Sequence, residues 1–131
     1  MGFVALELAL EIWNDLQEPL KELRKKDRYL YDEAKRAGGS MCLNTAEGSR
    51  RVGGDKTHFY NVAAGSVKEL RTTLQMAIGW GLLSGLDWLL AKIDREGRLL
   101  SGLTREGRPG ARSPRARGRA GRRYASGGPG R

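Results

Sequence analysis

The residues of this chain whose types and spacing suit chemistry gather between Ser40 and Lys56. On a helix advancing about 100° per residue, Ser40, Asn44, Glu47 and Arg51 fall within an arc of roughly 60°. A hydroxyl, an amide, a carboxylate and a guanidinium stacked in this way form either of two things. One is a satisfied hydrogen-bond network that fixes a helix corner, with Glu69 of the next helix available to an arginine. The other is the inner edge of a phosphate-contacting rim made by Arg50, Arg51 and Lys56. Acid–base or nucleophilic catalysis has little material, because His58 is the only histidine and Cys42 the only cysteine. Cys42 reads as a small core residue with no cation nearby to lower its pKa, and His58 as a surface residue near a helix start. No cysteine or histidine cluster has metal-ligand spacing. The expectation is therefore a non-enzymatic protein with no metal, cofactor or small-molecule substrate.

The elements that carry these residues are helices, so the fold class is all-α. Residues 3–17 read as a first helix with Ala5, Ala9, Ile12, Trp13 and Leu16 on one face, continued by Leu20. Leu6, Leu8 and Leu10 widen that apolar arc. They are covered either by a second subunit or by a central position in one bundle. Pro19 lacks an amide donor and must kink or split this arm, with residues 19–26 as a second helical piece ending in basic residues. The run Arg24-Lys25-Lys26-Asp27-Arg28 reads as a solvated helix end, with phosphate contact as the alternative.

A helix over 28–49 follows, with Leu30, Ala34, Ala37 and Met41 as its stripe and Gly48 where it could close. Gly38-Gly39 in its interior leaves its continuity open, since each glycine costs about 1 kcal/mol against alanine. Residues 56–80 form the next helix, capped by Asp55, with Phe59, Val62, Ala63, Ser66, Leu70 and Leu74 on one side. Gly65, near Glu69, suggests close helix approach. A last helix runs from Ser84 as N-cap to about residue 101, with Leu86, Leu89, Leu90, Ile93 and Leu100 as its seam. Trp88 and Leu99 face away from that seam, as oligomer contacts or as ordinary exposed residues.

Of the 24 Lys and Arg, nine lie in residues 104–131 with one acid, so +8 of the formal +9 belongs there. That segment has no apolar periodicity and is expected to be a disordered Arg/Gly-rich tail, binding phosphate without sequence preference or serving as an incidental extension. Residues 1–103 form the folded domain and are nearly neutral. Glu7 and Glu11 interrupt the apolar N-terminus and no basic segment precedes it, which argues against a signal peptide or membrane span. A reducing, cytoplasmic setting fits one cysteine.

The run Ser40-x3-Asn44-x-Ala46-Glu47-Gly48-x2-Arg51, then Phe59, then Ala64-Gly65-Ser66-x2-Glu69, resembles a known family. Its members are the four-helix-bundle proteins first noticed as reading frames in 23S ribosomal RNA intervening sequences. The resemblance extends over about residues 3–103, and Gly38-Gly39 departs from it where members carry small apolar residues. It implies an antiparallel four-helix bundle that assembles into a ring-like homopentamer with a nucleic-acid role, RNA or DNA. The architecture is similar to that of the accessory variability protein of diversity-generating retroelements, which supports a reverse transcriptase. On this reading Trp88, Leu99, Leu6 and Leu10 are the oligomer contacts, and Arg50, Arg51 and Lys56 repeat once per subunit. The alternative function is a structural or protein-interaction oligomer without nucleic acid.

Overall fold

Pro19 lies just past the first helix boundary. Its ring conflicts with the carbonyl four residues back, that of Asp15, and in the computed structural model, which describes residues 2–107, the first helix ends there. The described residues form five helices and no strand: α1 (Gly2–Asp15), α2 (Gln17–Lys26), α3 (Arg28–Arg50), α4 (Gly53–Gly79) and α5 (Asp87–Gly107). Only Leu16 separates α1 from α2, and it stays near helical geometry at φ −73°, ψ −13°. Its amide donates to the Ile12 carbonyl and its carbonyl accepts from the Leu20 amide, both at 2.9 Å.

Asp27 starts α3, its Oδ1 accepting from the Leu30 amide at 2.9 Å. That helix runs unbroken through Gly38-Gly39. The reason lies in α1, where the Trp13 indole rests against the glycine pair. A Cβ at Gly38 would stand 3.1 Å from Leu16 and 3.2 Å from Trp13, whereas one at Gly39 would meet Trp13 at 3.9 Å. Gly38 therefore makes room for a neighbour, and Gly39 does not need to be glycine. Gly39→Ala is expected to stabilise the fold by up to about 1 kcal/mol, through helix propensity and a stiffer unfolded chain. A thermal melt checks it; a lowered Tm contradicts it.

Several boundaries differ from those expected. Gly48 does not close α3 but sits inside it, buried against Tyr60, and the cap is Arg51. Asp55 is not the N-cap of α4: the helix begins at Gly53, whose φ of 63° needs glycine, with extended Val52 as the cap. Asp55 instead lies in the first turn, where its charge suits the helix N-terminus. Ser84 does not cap α5, which starts at Asp87. That helix also passes the expected stop near 101, because Leu103 and Thr104 are buried and hold a further turn. The remainder of the Arg-rich tail, residues 108–131, lies outside the described residues.

The packing runs in opposite directions along successive long helices. Ser40 meets Ser66 and Arg36 meets Glu69 between α3 and α4, and Arg71 meets Asp94 between α4 and α5. Cys42 meets Ala9 between α3 and α1, and Lys92 meets Asp15 between α5 and α1. One core joins them, from Ala5, Leu8, Ala9 and Ile12 through Met41, Leu70 and Leu74 to Leu89 and Ile93. Leu8 thus belongs to the core of its own chain, while Leu10 stays half exposed. The inner face of α4 is turned from the expected one: Tyr60 and Val67 are buried, Phe59 is partly covered and Val62 exposed. Contact with both α3 and α5 causes this, since two neighbours centre the buried arc between them. Gly65 is exposed with nothing within 4 Å of a Cβ, so it mediates no close approach.

Candidate nucleic-acid interface

The polar ladder separates into two pieces. Asn44 Nδ2 donates to the Ser40 carbonyl at 2.9 Å and to Ser40 Oγ at 3.1 Å, and Ser66 Oγ lies 2.7 Å from Ser40 Oγ. This half-buried group ties α3 to α4 in mid-helix. The second piece caps the corner: Arg51 Nε and Nη2 donate to Glu47 Oε2 at 2.9 and 2.6 Å, and Nη1 lies 3.6 Å from Asp55. The Arg51 guanidinium also stands 5.2 Å over the Phe59 ring. Its proximity holds the Glu47 carboxyl below the usual carboxylate range. Glu69 belongs to neither piece and accepts from Arg36 Nη2 at 2.9 Å, across α3 and α4.

The arrangement changes what the basic rim can do. Arg51 is neutralised by its own helix and the following turn, so its role is to clamp the corner. Arg50 is exposed and Lys56 is partly exposed, its ammonium 5.5 Å over the Tyr60 ring. Neither has an ion-pair partner among the described residues. These two are the cations at the corner left to meet an anion.

The residues expected at oligomer contacts are scattered in exposure. Trp88 is half exposed, its indole N–H donating to the Gly85 carbonyl at 3.0 Å, and Leu10 is similarly open. Leu6 and Leu99 are partly covered, and Leu99 packs on the core of its own chain. Larger apolar exposure lies where spacing did not mark it, at Trp80 (80% exposed), Leu43 and Phe3. Trp80 borders a cleft of about 410 Å³ with Tyr29, Leu30 and Met76.

The residue that sequence reasoning missed is Glu96. It is fully buried, and neither carboxylate oxygen has a hydrogen-bond partner among the described residues. Burial pushes its pKa up to about 8, with Arg95 pulling slightly the other way. The signal was present, because Leu86, Leu89, Ile93, Glu96, Leu100 and Leu103 are spaced three, four, three, four and three. Cys42 is buried as expected, and burial, then the Glu96 charge, raises its thiol to about 11. The protonated thiol faces the Ala9 carbonyl at 3.4 Å. His58 is exposed in the first turns of α4, edge-on to Phe59.

These features define a small all-α protein with a clamped α3–α4 corner and no helix, among the described residues, long and apolar enough to cross a membrane. Residues 4–102 match the family described as 23S rRNA-intervening sequence protein, and the chain belongs to that family. No curated protein and no solved structure matches it.

Proposed function

We propose that the chain is one protomer of a non-enzymatic homo-oligomer that binds or scaffolds nucleic acid through the α3–α4 corner. In this reading α1 and α2 are one arm broken at Pro19, and the protomer is an antiparallel four-helix bundle. Its resemblance to the intervening-sequence proteins supports a pentamer, and a single cysteine fits a reducing, cytoplasmic setting. The family name itself points toward ribosomal RNA. The observation that carries the reading is the pair Arg50 and Lys56, without an ion-pair partner among the described residues, at a corner that Arg51, Glu47 and Asp55 brace. Two cations per subunit are weak alone, but a ring repeats them, and linked contacts gain by avidity. The Arg-rich tail adds phosphate contacts without sequence preference. The exposed apolar residues Trp80, Trp88, Leu10 and Phe3 supply surface for association.

A mass measurement on the intact protein tests the assembly, and a monomer at micromolar concentration removes it. Arg50→Ala with Lys56→Ala is expected to weaken retention of RNA or DNA at low salt and to flatten the salt dependence. The melting temperature should not change. Equal retention by this variant assigns all binding to the tail. The second reading, a structural or protein-interaction oligomer, is favoured by the internal neutralisation of Arg51, and absence of any nucleic-acid binding selects it. A supporting role for a reverse transcriptase is a narrower form of the first.

A further inference from the structure

Arg28, Tyr31 and Lys35 lie three and four residues apart and so share one face of the first turns of α3. The one-residue turn at Asp27 folds α3 back along α2, which brings Arg24 to the same place. Three cationic groups then surround one ring: Arg24, Arg28 and Lys35 stand 5.8, 5.7 and 5.8 Å from the Tyr31 centroid. Trp13 of α1, seated on Gly38-Gly39, forms the facing wall. Between them lies a cleft of about 210 Å³ lined by Trp13, Gln17, Leu20, Lys21, Arg24, Tyr31 and Lys35.

Among the described residues no carboxylate lines this cleft. Arg28 is held by Asp32 at 3.2 Å, and Lys21 approaches Glu18 at 3.4 Å. Arg24 and Lys35 have no ion-pair partner among the described residues; Lys35 reaches only the Tyr31 hydroxyl, at 3.4 Å. Two aromatic walls, a glutamine amide and unpaired cations around a concave space are the chemistry that receives a base and its phosphate. The volume is below that of a pocket for a drug-sized ligand, so it admits the base of a single unit, with sugar and phosphate at its open rim, and not a run of stacked bases.

We propose that the Trp13–Tyr31 cleft binds one nucleotide unit, its base against the aromatic walls and its phosphate between Arg24 and Lys35. The unit is either a free nucleotide or one residue of a single strand. The cleft and the corner lie toward opposite ends of α3, about 25 Å apart along its axis. The inference does not rest on nucleic-acid binding at the corner.

The Arg-rich tail would dominate any bulk affinity, so the test needs a local readout: the Trp13 indole N–H resonance in the intact protein. Uridine monophosphate, a short oligouridine and inorganic phosphate are titrated in separate arms. Uridine monophosphate is expected to shift the resonance where equal inorganic phosphate does not. A shift with oligouridine alone also supports the cleft and identifies a strand as the source. Tyr31→Leu should weaken the response about tenfold. Arg24→Ala with Lys35→Ala, both at exposed positions, should abolish it with the fold intact even if Tyr31→Leu disturbs packing. Arg50→Ala with Lys56→Ala should leave it unchanged, so failure of the corner and failure of the cleft are separate results. An equal response to inorganic phosphate, or no response to any probe, overturns the proposal.

Discussion

Glu96→Gln is expected to abolish a loss of stability that the natural protein suffers as pH rises from about 4.5 to about 8. The Glu96 carboxyl is wholly buried, with both oxygens unpartnered, and its pKa is pushed up to about 8. In the unfolded chain the same carboxyl titrates near 4.3. Below that value both states hold the proton, and the fold keeps its full stability. Between the two values the unfolded chain has released the proton and the folded chain has not, so each pH unit costs up to about 1.4 kcal/mol. Above about 8 both states are ionised and the loss is complete, about 3–5 kcal/mol in all. Asp94 and Glu47, held low by Arg71 and Arg51, act in the opposite sense and at lower pH. They do not obscure this window.

Gln cannot ionise, so its profile should be flat there, although its amide stays unpaired. Glu96→Leu should go further and exceed the natural protein at pH 8 by about 2 kcal/mol or more, since it completes the apolar seam. Urea unfolding at intervals between pH 4.5 and 9 measures both. Parallel profiles for the natural protein and Glu96→Gln would show that Glu96 finds a partner and is not held neutral.

Gly48→Ala should destabilise the protein by about 2 kcal/mol, opposite in sign to Gly39→Ala on the same helix. A Cβ at Gly48 would stand 2.7 Å from two carbons of the Tyr60 ring. The ring is fully buried, and at its far end the hydroxyl lies where a Cβ on Gly2 would be 2.6 Å away. Glycines therefore flank it at both ends, and a rigid, fully buried ring cannot swing away as a flexible side chain would. The gain in helix propensity, about 1 kcal/mol, offsets only part of the overpacking. Removing the ring should remove the conflict, so in a Tyr60→Ala background Gly48→Ala should be neutral or stabilising. The double-mutant cycle reads this coupling directly, and additive effects would mean that the ring moves aside.

Much of the fold was legible because helical periodicity is local. The stripe Leu30, Ala34, Ala37 and Met41 is buried where its spacing places it, and a helix boundary falls between Asp15 and Gln17, near Pro19. The ends were less legible. Asp55 and Ser84 are good capping residues, yet the glycine turn at Gly53 and the buried Leu86 set the starts of α4 and α5. At the candidate site, the break between α3 and α4 was legible from Gly53-Gly54. The division of the corner residues was not, because Arg51 could face outward or back toward Glu47 with the same spacing.

From the order of residues alone come the helices, their apolar arcs, the concentration of charge beyond residue 104 and the family motif. Even the position of Glu96 in a three–four seam is written there. Tertiary structure alone decides that α4 turns Tyr60 inward and leaves Val62 outside, that Arg51 is neutralised while Arg50 and Lys56 are not, and that Trp13 faces Tyr31 across a cleft. The physical reason is that periodicity gives each helix a face but not its rotation against neighbours. That rotation is set by side-chain volume at the crossings, here by glycines at 38 and 48 that admit the rings of Trp13 and Tyr60.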